Sequence, residues 1–404
     1  MRLVTFTTLY PSAARPNHGL FVETRLRELV ASGLAQAHVV APVPWFPSSH
    51  PRFGSYASMS RTPRREQRNG IDLLHPRYLL PPKIGMSVAP YVLAAGAAPA
   101  LARLRAEGFD FDLIDAHYFY PDGVAAALLG RRVKRPVVIT ARGSDLNVLA
   151  MYRLPRRMMQ WAAHQAAGLV TVSAALKRKL VELGVPPSRI NVLRNGVDLE
   201  RFVPIDRASR RAELGLAGRT LVAVGNLVPL KGHDLVLRAM TRMTDIELLL
   251  IGAGPDERKL KALAAELGVH TRVRFLGARP QSELASFYGA ADALVLASSS
   301  EGWPNVLLES MACGTPVVAT NVCGVGEIVS VPEAGVLAGA RTPEAIAQAV
   351  ERLFAQYPER AATRRYAERF SWDETTRGQL ALFGRILGDT SEAHALHADA
   401  SVEA

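Results

Sequence analysis

The stretch EGWPNVLLESMACGTPVVAT, Glu301 to Thr320, reads as a loop, a helix and a buried strand in succession. The letters just before it, ALVLASSS, read as another buried strand that enters the loop. Pro304 suits the first helical position, where its missing N–H costs nothing, and Gly314 suits the end of the helix. A strand, a helix and a second strand in this order indicate a parallel α/β unit.

The same alternation continues along all 404 residues, which are too many for one compact core. Gly and Pro near 195–204 separate two sets of apolar strands, so we predict α/β domains at 1–198 and 199–372 with a ligand cleft between them. Residues 389–404 contain no Lys or Arg and few large apolar groups, which predicts a disordered tail.

Composition excludes several classes of protein. The two cysteines, Cys313 and Cys323, cannot form a disulfide framework or a CxxC zinc site, which is typical of a reducing compartment such as the cytoplasm. The first residues make a poor signal peptide, and no apolar run reaches the roughly 18–20 residues that span a bilayer. A net charge of +11 favours anionic partners. Zinc-finger spacing and aromatic RNA-binding patterns are missing, so we expect no nucleic-acid partner.

Two regions of the first half could contact a membrane. Residues 51–70 carry five arginines against one glutamate, which indicates either a solvated loop or contact with anionic lipid. The amphipathic region from Ile84 to Leu104 could lie on the inner face of the cell membrane as a peripheral contact. The alternative is that it forms a helix packed on its own domain.

The two carboxylates of the opening stretch are candidates for sugar binding. Free backbone N–H groups near Trp303, Asn305 and Val306 would seat phosphate or sugar oxygens at the helix start. Glu301 and Glu309 lie at different depths and could accept hydrogen bonds from the hydroxyls of two sugars, or of a sugar and a ribose. The alternative makes Glu301 a partner of the helix dipole and Glu309 a solvated residue.

Two further strand ends of the second half carry glycines. In VGNLVPLKGHD a buried strand ends at Gly225, and Lys231 precedes a helix start, where its charge could stabilise a diphosphate leaving group. The alternative is a surface lysine beside a turn. In IGAGP, Gly252 belongs to a tight turn that lets a ligand approach the backbone. The pair Asp110 and Asp112 looks like a metal-binding DxD motif, but we interpret both as turn residues.

In the first half, candidate residues also follow strands. Gly19 allows a ligand close to the backbone before a helix start. His117 ends a strand, and Arg142 with Asp145 follows the next one. The functional interpretation places these side chains at the reacting sugar. The alternatives are a structural histidine and a simple Arg142–Asp145 pair.

Taken together, the motifs resemble those of the retaining glycosyltransferases of the GT-B fold, family-4 type. The resemblance covers about residues 1–385, and its most specific part is the pair of glutamates with the ACGTPVVAT continuation. The motifs occur in this order: GLFVETRLREL, TARGSDLN, SAALKRKLVELGV, LRNGVDLERF, VGNLVPLKGHD, LIGAGP, VRFLG and EGWPNVLLESMACGTPVVAT.

The resemblance implies two Rossmann-like domains facing a central cleft. The first binds the acceptor and the second binds the nucleotide sugar, while a helix at 373–388 crosses back to the first. It implies that Glu301 contacts the transferred sugar, Glu309 the ribose hydroxyls and Lys231 the diphosphate. The remaining donor-binding candidates are Gly19, which closes over the phosphates, Leu276, which lies near the base, and Gly225, Asn226, Gly252, Gly302, Trp303, Asn305 and Val306.

Two positions depart from the family pattern. Many members carry arginine where this chain has Asn226, and histidine where it has Arg142. Arg142 cannot act as a base at neutral pH, so it could hold a phosphate or the acceptor. His117 could supply an imidazole nearby. The catalytic candidates are therefore Glu301, Lys231, Arg142, Asp145 and His117.

The resemblance also implies retention of the anomeric configuration without a metal or another cofactor. The motifs HYFYPDG, HPRYLLPP and ARGSD are similar to those of bacterial transferases that build exopolysaccharide or cell-envelope glycans. We therefore predict transfer from a UDP- or GDP-sugar to a saccharide or polyprenyl-linked acceptor. The alternatives are a nucleotide-sugar epimerase on the same fold and a protein that binds a nucleotide sugar without catalysis.

Overall fold

The structure is a computed structural model that describes residues 1–80 and 85–388. The chain divides into two compact units. The first unit is formed by residues 1–194 and the segment that starts at Asp373; the second unit is formed by Asn195–Trp372. This division lies within four residues of the predicted boundary after residue 198. The predicted tail at 389–404 lies outside the described residues.

The first unit contains an eight-stranded sheet, a separate pair of short strands, and helices. Its strands are β1 (Arg2–Phe6), β2 (Gln36–Val40), β3 (Val43–Pro44), β4 (Arg65–Arg68), β5 (Ile71–Leu74), β6 (Arg77–Tyr78), β7 (Leu113–His117), β8 (Val137–Ala141), β9 (Gly168–Thr171) and β10 (Ile190–Val192). Its helices are α1 (Leu20–Ala31), α2 (Ser55–Ser60), α3 (Gly85–Ala106), α4 (Val124–Val133), α5 (Ser144–Asn147), α6 (Arg153–Gln165), α7 (Ala174–Glu182) and α16 (Trp372–Leu387).

The strand order of the main sheet is β10-β9-β8-β7-β1-β2-β5-β4, and β3 pairs separately with β6. Neighbouring strands are parallel except for β4, which runs antiparallel to β5 at the edge. The order reverses direction between β1 and β7, so the carboxyl ends of these two strands flank the crevice where ligands of such sheets bind.

The second unit is a six-stranded parallel sheet. Its strands are β11 (Arg219–Val224), β12 (Ile246–Ile251), β13 (Val273–Gly277), β14 (Ala293–Leu296), β15 (Val317–Thr320) and β16 (Gly335–Ala338). Its helices are α8 (Arg207–Leu214), α9 (His233–Ala239), α10 (Glu257–Glu266), α11 (Gln281–Ala290), α12 (Asn305–Ala312), α13 (Val325–Ile328), α14 (Pro343–Ala355) and α15 (Arg360–Glu368).

The strand order of this sheet is β13-β12-β11-β14-β15-β16, with every pair parallel. Counted from β11, this is the 3-2-1-4-5-6 order of a doubly wound dinucleotide-binding sheet. Its switch point lies between β11 and β14. The loops that follow these two strands therefore form the crevice of the second unit.

The predicted α/β class with parallel sheets is confirmed, because central strands covered on both faces must be continuous apolar runs. β8 and β14, for example, are buried along their whole length. The short strands β3, β4, β5, β6 and β16 were not predicted. β4, REQR, is polar and lies at an edge, so its composition does not mark it as a strand.

The opening stretch folds as predicted, with a shift of one residue at the helix start. Pro304 has extended backbone and precedes α12 rather than occupying its first position. The helix ends at Ala312, and Gly314 follows with φ 75°, a left-handed conformation that glycine adopts without strain. The turn then leads directly into β15.

Asp110 and Asp112 lie before β7, at the opposite sheet edge from the crevice. Arg135 and Arg105 donate hydrogen bonds to Asp110 at 2.6 and 3.0 Å, and the Arg2 N–H donates to Asp112 at 2.7 Å. Both carboxylates therefore have local partners, as the interpretation as turn residues predicts.

The helix α3 contains the described part of the region that we considered for membrane contact; Ile84 lies outside the described residues. By length and composition it is the one described helix that could cross a membrane, and 33% of its most apolar window is buried. Its buried side chains recur at helical spacing along one face, for example Ala89, Leu93, Ala97, Leu101 and Leu104. This face packs within the first unit, which favours the packed-helix alternative.

Candidate active site

The crevice of the second unit contains an ion pair between the loops after β11 and β14. Lys231 ends a 3-10 turn after β11, and its Nζ lies 2.6 Å from Oε1 of Glu301 in the loop after β14. The hydroxyl of Ser298 donates to the same Oε1 at 2.6 Å. The pair is sheltered, with side-chain exposures of 21% for Lys231 and 11% for Glu301. An ammonium and a carboxylate thus meet where the fold places its ligand.

Glycines let the backbone close tightly around Lys231. The stem of the lysine runs along Gly225, where an added Cβ would lie 3.5 Å from its Cε. An added Cβ at Gly252, after β12, would lie 1.9 Å from the carbonyl oxygen of Gly225, which no larger residue could tolerate. The IGAGP turn is therefore needed to pack the loop after β12 against the loop after β11. Asn226 follows Gly225 and is exposed.

The start of α12 borders the same crevice. Trp303 is buried, and its indole N–H donates to the carbonyl of Asn195 at 2.9 Å, which holds the loop before the helix. Gly302 beside it is also buried. The backbone N–H groups of Asn305 and Val306 belong to the first turn, where no intrahelical acceptor exists. These groups and the helix dipole favour an anionic ligand.

Glu309 is buried inside α12 and is not a solvated residue. Tyr288 Oη donates to its Oε2 at 2.9 Å, and Gln281 Nε2 donates to its Oε1 at 3.1 Å. Burial raises the pKa of Glu309, and the hydrogen bonds from Tyr288 and Gln281 oppose that rise. Leu276 lies in β13 and is half-buried at this end of the sheet. Both oxygens of Glu309 thus have protein partners.

The first unit gathers a second polar cluster at the ends of β7 and β8. His117 and Arg142 are both buried, and Arg142 Nη2 lies 2.5 Å from His117 Nδ1. His117 Nε2 in turn lies 3.1 Å from Asp115 Oδ2. The guanidinium of Arg142 also lies over the ring of Phe21, from α1, at 5.3 Å. The cluster therefore joins the elements that follow β1, β7 and β8.

His117 is neutral in this arrangement. Burial lowers its pKa to about 4, against the pull of Asp115, which raises it. Because the guanidinium of Arg142 only donates, His117 Nδ1 accepts and Nε2–H donates to Asp115. Both ring nitrogens are then occupied, so this geometry does not favour His117 as the base suggested by its position at a strand end.

Asp145 is fully buried and does not pair with the guanidinium of Arg142 in the manner of a simple ion pair. Its two oxygens accept hydrogen bonds from the backbone N–H groups of Phe119, Arg142, Gly143 and Leu146 at 2.7 to 3.2 Å. A carboxylate with four such donors has little capacity left for a sugar. This placement favours a structural role, in which Asp145 holds the loop that carries Arg142.

Gly19 precedes α1 with φ 75°. An added Cβ there would lie 2.4 Å from the carbonyl oxygen of Leu9, so the loop after β1 must be glycine at this point. The turn brings the start of α1 against the chain that leaves β1. This is the same sheet end that holds Arg142 and His117.

A buried carboxyl bridges the switch point of the first unit. Asp122, in the loop after β7, accepts hydrogen bonds from Thr8 N at 2.5 Å, Thr8 Oγ1 at 3.0 Å and Thr7 Oγ1 at 3.2 Å. Burial raises the pKa of Asp122 to about 7, and the hydrogen bonds from Thr8 and Thr7 only limit that rise. Because the carboxyl is fully buried, its ionisation must affect the stability of the unit.

We expect Asp122→Asn to change the pH dependence of stability. A carboxyl whose pKa rises on folding favours the folded state fully when the pH is below its unfolded pKa. This stability is lost as the pH rises through the folded pKa of about 7, because the buried carboxyl must then ionise. Between pH 4 and pH 7.5 the free energy of unfolding of the wild type should therefore fall by about 2–4 kcal/mol relative to that of the variant. Thermal unfolding of both proteins at several pH values checks this. A difference in melting temperature that stays constant over the window would contradict it.

Several partners of these residues were not predicted from the sequence: Ser298, Gln281, Tyr288, Asp115, Asp122 and Arg25. Arg25 is a buried residue of α1 that donates to Gln379 of α16 at 2.9 Å and to the Leu193 carbonyl at 3.1 Å. It thereby ties the predicted C-terminal helix to the first unit. The local signal for Arg25 was a charged residue at the spacing of the buried apolar residues Val22, Leu26 and Leu29.

Families of known proteins match both units. The family described as Glycosyltransferase Family 4 matches residues 81–201, and Glycosyl transferases group 1 matches residues 206–370. Among curated relatives, D-inositol 3-phosphate glycosyltransferase of Mycobacterium sp. (strain KMS) is 35% identical over 309 residues, covering 72% of this chain and 70% of that protein. Its counterpart from Frankia alni is 35% identical over 312 residues, covering 70% and 76%.

Solved structures of glycosyltransferases have the same fold. Sucrose-phosphate synthase from Thermosynechococcus elongatus matches with a TM-score of 0.71 and 19% identity over 99% of both chains. Anabaena HepE in complex with UDP and glucose matches with a TM-score of 0.69 and 20% identity over 94% of this chain and 98% of that one. With these similarities and the site at its switch point, the chain belongs to glycosyltransferase family 4 and is a glycosyltransferase of the GT-B fold.

Proposed function

We propose that this protein is a retaining, metal-independent hexosyltransferase that uses a UDP- or GDP-sugar. The observation that carries the proposal is the sheltered contact between Lys231 and Glu301 at the switch point of the second unit. A nucleoside-diphosphate sugar needs a cation for its diphosphate and an acceptor for its sugar hydroxyls. The crevice supplies one of each beside the start of α12.

The uridine nucleotide is the first donor to test. Solved structures of HepE contain UDP, UDP-glucose, and UDP with glucose. These ligands are those of HepE, and the fold that it shares with this chain supports the same class of donor here. Half-buried Leu276 would flank the base, and Glu309 would exchange its bonds with Tyr288 and Gln281 for the ribose hydroxyls.

In the mechanism that we propose, Lys231 and the α12 N–H groups stabilise the negative charge that develops on the departing diphosphate. Glu301 accepts hydrogen bonds from the transferred sugar and orients Lys231. The departing phosphate accepts the proton of the incoming hydroxyl on the same face of the sugar, so the configuration is retained. This route needs no nucleophile from the enzyme and no imidazole base, which fits a His117 whose two nitrogens are occupied.

The proposal includes no metal or other cofactor. In residues 1–80 and 85–388, no three or more His, Cys, Asp and Glu side chains are grouped to hold a metal ion. We assign charge neutralisation to Lys231 instead. The second cation that many relatives carry at the position of Asn226 would have to come from another basic residue.

We further propose a saccharide or polyprenyl-linked acceptor of bacterial exopolysaccharide or cell-envelope synthesis, used in the cytoplasm. The motifs HYFYPDG and ARGSD of the first unit support this choice. The curated relatives are named for D-inositol 3-phosphate, so an acceptor that carries a phosphate is the other class to test. The buried guanidinium of Arg142 could hold such a group.

Thermal unfolding with added nucleotides tests the donor site. We expect one base among UDP, GDP, ADP and dTDP, and its sugar conjugates, to raise the melting temperature, because a ligand that binds only the native state stabilises it. The rise should persist in EDTA. A rise that disappears in EDTA would contradict metal independence. No rise with any nucleotide would mean that the departures at Asn226 and Arg142 have removed the donor site, and it would contradict the proposed function.

Transfer itself is tested by incubating the stabilising nucleotide sugar with candidate acceptors. Release of the nucleoside diphosphate should depend on the acceptor, and the anomeric signal of the product in NMR should match that of the donor. Conversion of the donor without acceptor would support the epimerase alternative. Inverted product would contradict the proposed mechanism but not the glycosyltransferase.

A further inference from the structure

The first unit exposes a short apolar surface that its own core does not use. The surface is residues 148–157, which follow α5 and include a 3-10 turn and the first turn of α6. Met151 is 80% exposed, Tyr152 50% and Leu154 43%. Three large apolar side chains within four residues are unusual on a water-facing surface. They indicate a surface that meets something else.

Three arginines share this surface. Arg153, Arg156 and Arg157 are exposed, and none of them pairs with a carboxylate in the described parts of the chain. From residue 146 to residue 181 the sequence contains six Lys and Arg and no Asp or Glu. The surface is therefore both apolar and positively charged, without internal compensation.

The placement of these arginines does not serve the helix that carries them. The N-terminus of a helix is the positive end of its dipole, so cations in the first turn destabilise it and acidic residues stabilise it. The first turn of α6 contains no acidic residue, and no side chain caps it. An external anion bound at this turn would offset the unfavourable interaction between the arginines and the helix dipole.

Two of the five arginines of residues 51–70, Arg65 and Arg68, differ in this respect. Arg68 donates to Glu23 at 2.8 Å, and Arg65 lies 3.5 Å from both Asp72 and Glu107. These charges are engaged within the unit. Arg153, Arg156 and Arg157 have no such carboxylate partner among the residues that the structure describes.

We propose that residues 148–157 dock the protein on an anionic lipid surface. Met151 and Leu154 enter the boundary between headgroups and acyl chains, and Tyr152 lies at the headgroup level, where its ring and hydroxyl are both accommodated. Arg153, Arg156 and Arg157 contact the lipid phosphates. The surface follows β8 at the sheet edge that holds Arg142, so docking brings that edge to the lipid. The inference does not depend on the proposed donor or acceptor.

The mixture of side chains favours lipid over other anionic partners. A nucleic acid would use the arginines, but exposed Met and Leu side chains gain nothing from a phosphate backbone. An anionic lipid surface binds both kinds of side chain, because burial of the apolar groups and attraction of the arginines to the headgroups both contribute to the binding free energy. A contribution from Met151 and Leu154 therefore distinguishes the two.

The test is co-sedimentation of the full chain with vesicles. Vesicles of phosphatidylcholine with about one third phosphatidylglycerol should bind the protein, and pure phosphatidylcholine should bind it at least about tenfold more weakly. Removing all three charges with Arg153→Gln, Arg156→Gln and Arg157→Gln should lower the partition coefficient about 100-fold. Replacing the apolar pair with Met151→Ser and Leu154→Ser should lower it by about tenfold or more.

The matched control removes the same charge from an exposed helix of the second unit, with Arg258→Gln, Lys259→Gln and Lys261→Gln in α10. It should bind vesicles as the wild type does. Because all substituted side chains are exposed, melting temperatures should stay within a few degrees of the wild type. Absence of binding to anionic vesicles, equal losses in the control, or an apolar variant that binds normally would each overturn the proposal.

Discussion

Replacing Lys231 by Met should lower kcat/KM about 1,000-fold and abolish the stabilisation by the donor nucleotide. Met preserves the unbranched stem that runs along Gly225, so the substitution removes the ammonium with little change in packing. The loss follows from the role of the charge, because a cation aimed at a leaving diphosphate acts where negative charge develops. Initial rates with the nucleotide sugar identified by thermal unfolding measure it.

The variant also removes the ammonium that lies 2.6 Å from Glu301 in a sheltered position, although Ser298 still donates to the carboxylate. We expect a cost of about 1–3 kcal/mol in stability, so activity must be measured well below the melting temperature. Lys261→Met is the matched control. Its Nζ lies 2.7 Å from Glu257 in the same unit, but the pair is 54% and 40% exposed, so neither stability nor activity should change much. Activity of Lys231→Met within tenfold of the wild type would refute the assigned role.

Replacing Glu301 by Gln should weaken the interaction with the transferred sugar without weakening the binding of the diphosphate. The amide has the same shape but loses the charge, so it holds the sugar hydroxyls more weakly and no longer neutralises Lys231. We expect kcat to fall at least about 100-fold, because an interaction that strengthens in the transition state is lost. Affinity for the nucleoside diphosphate without sugar should be unchanged or higher, since the ammonium 2.6 Å away is released from its carboxylate.

Calorimetric titration with the nucleoside diphosphate and initial-rate kinetics test both parts. Glu257→Gln, on the surface pair of α10, is the control and should alter neither quantity. Weaker binding of the diphosphate in Glu301→Gln would mean that Glu301 serves mainly to hold the shape of the loop. Normal turnover would remove it from the site altogether.

Much of the candidate site could be predicted because its residues follow strands that are recognisable locally. Lys231, Glu301 and Arg142 lie in the loops that follow apolar strands, and His117 is the last residue of such a strand. Since the carboxyl ends of parallel strands share an edge, residues at those positions are expected to meet within each sheet. The packing of Gly252 against Gly225 could be predicted in part for a similar reason. A glycine at the end of a strand indicates that another segment of backbone lies close to it.

The partners of these residues could not be predicted. Lys231 and Glu301 are 70 positions apart, and nothing in the periodicity of either segment requires β11 to lie beside β14. Gln281 and Tyr288 are ordinary residues of an amphipathic helix until α11 packs against α12 and brings them to Glu309. The role of Asp145 as an acceptor of four backbone N–H groups likewise depends on where the loop after β7 lies.

The sequence by itself determined the parallel α/β class, a domain boundary within four residues of the observed division, and the glycines that the turns require. These properties follow from local patterns: the length of apolar runs, their spacing, and residues that accept unusual backbone angles. The tertiary structure alone decided which strands are neighbours, that the lysine meets the glutamate, and that His117 is neutral between Arg142 and Asp115. Burial and partner distance control charge and reactivity, and both are properties of contacts between segments far apart in the chain.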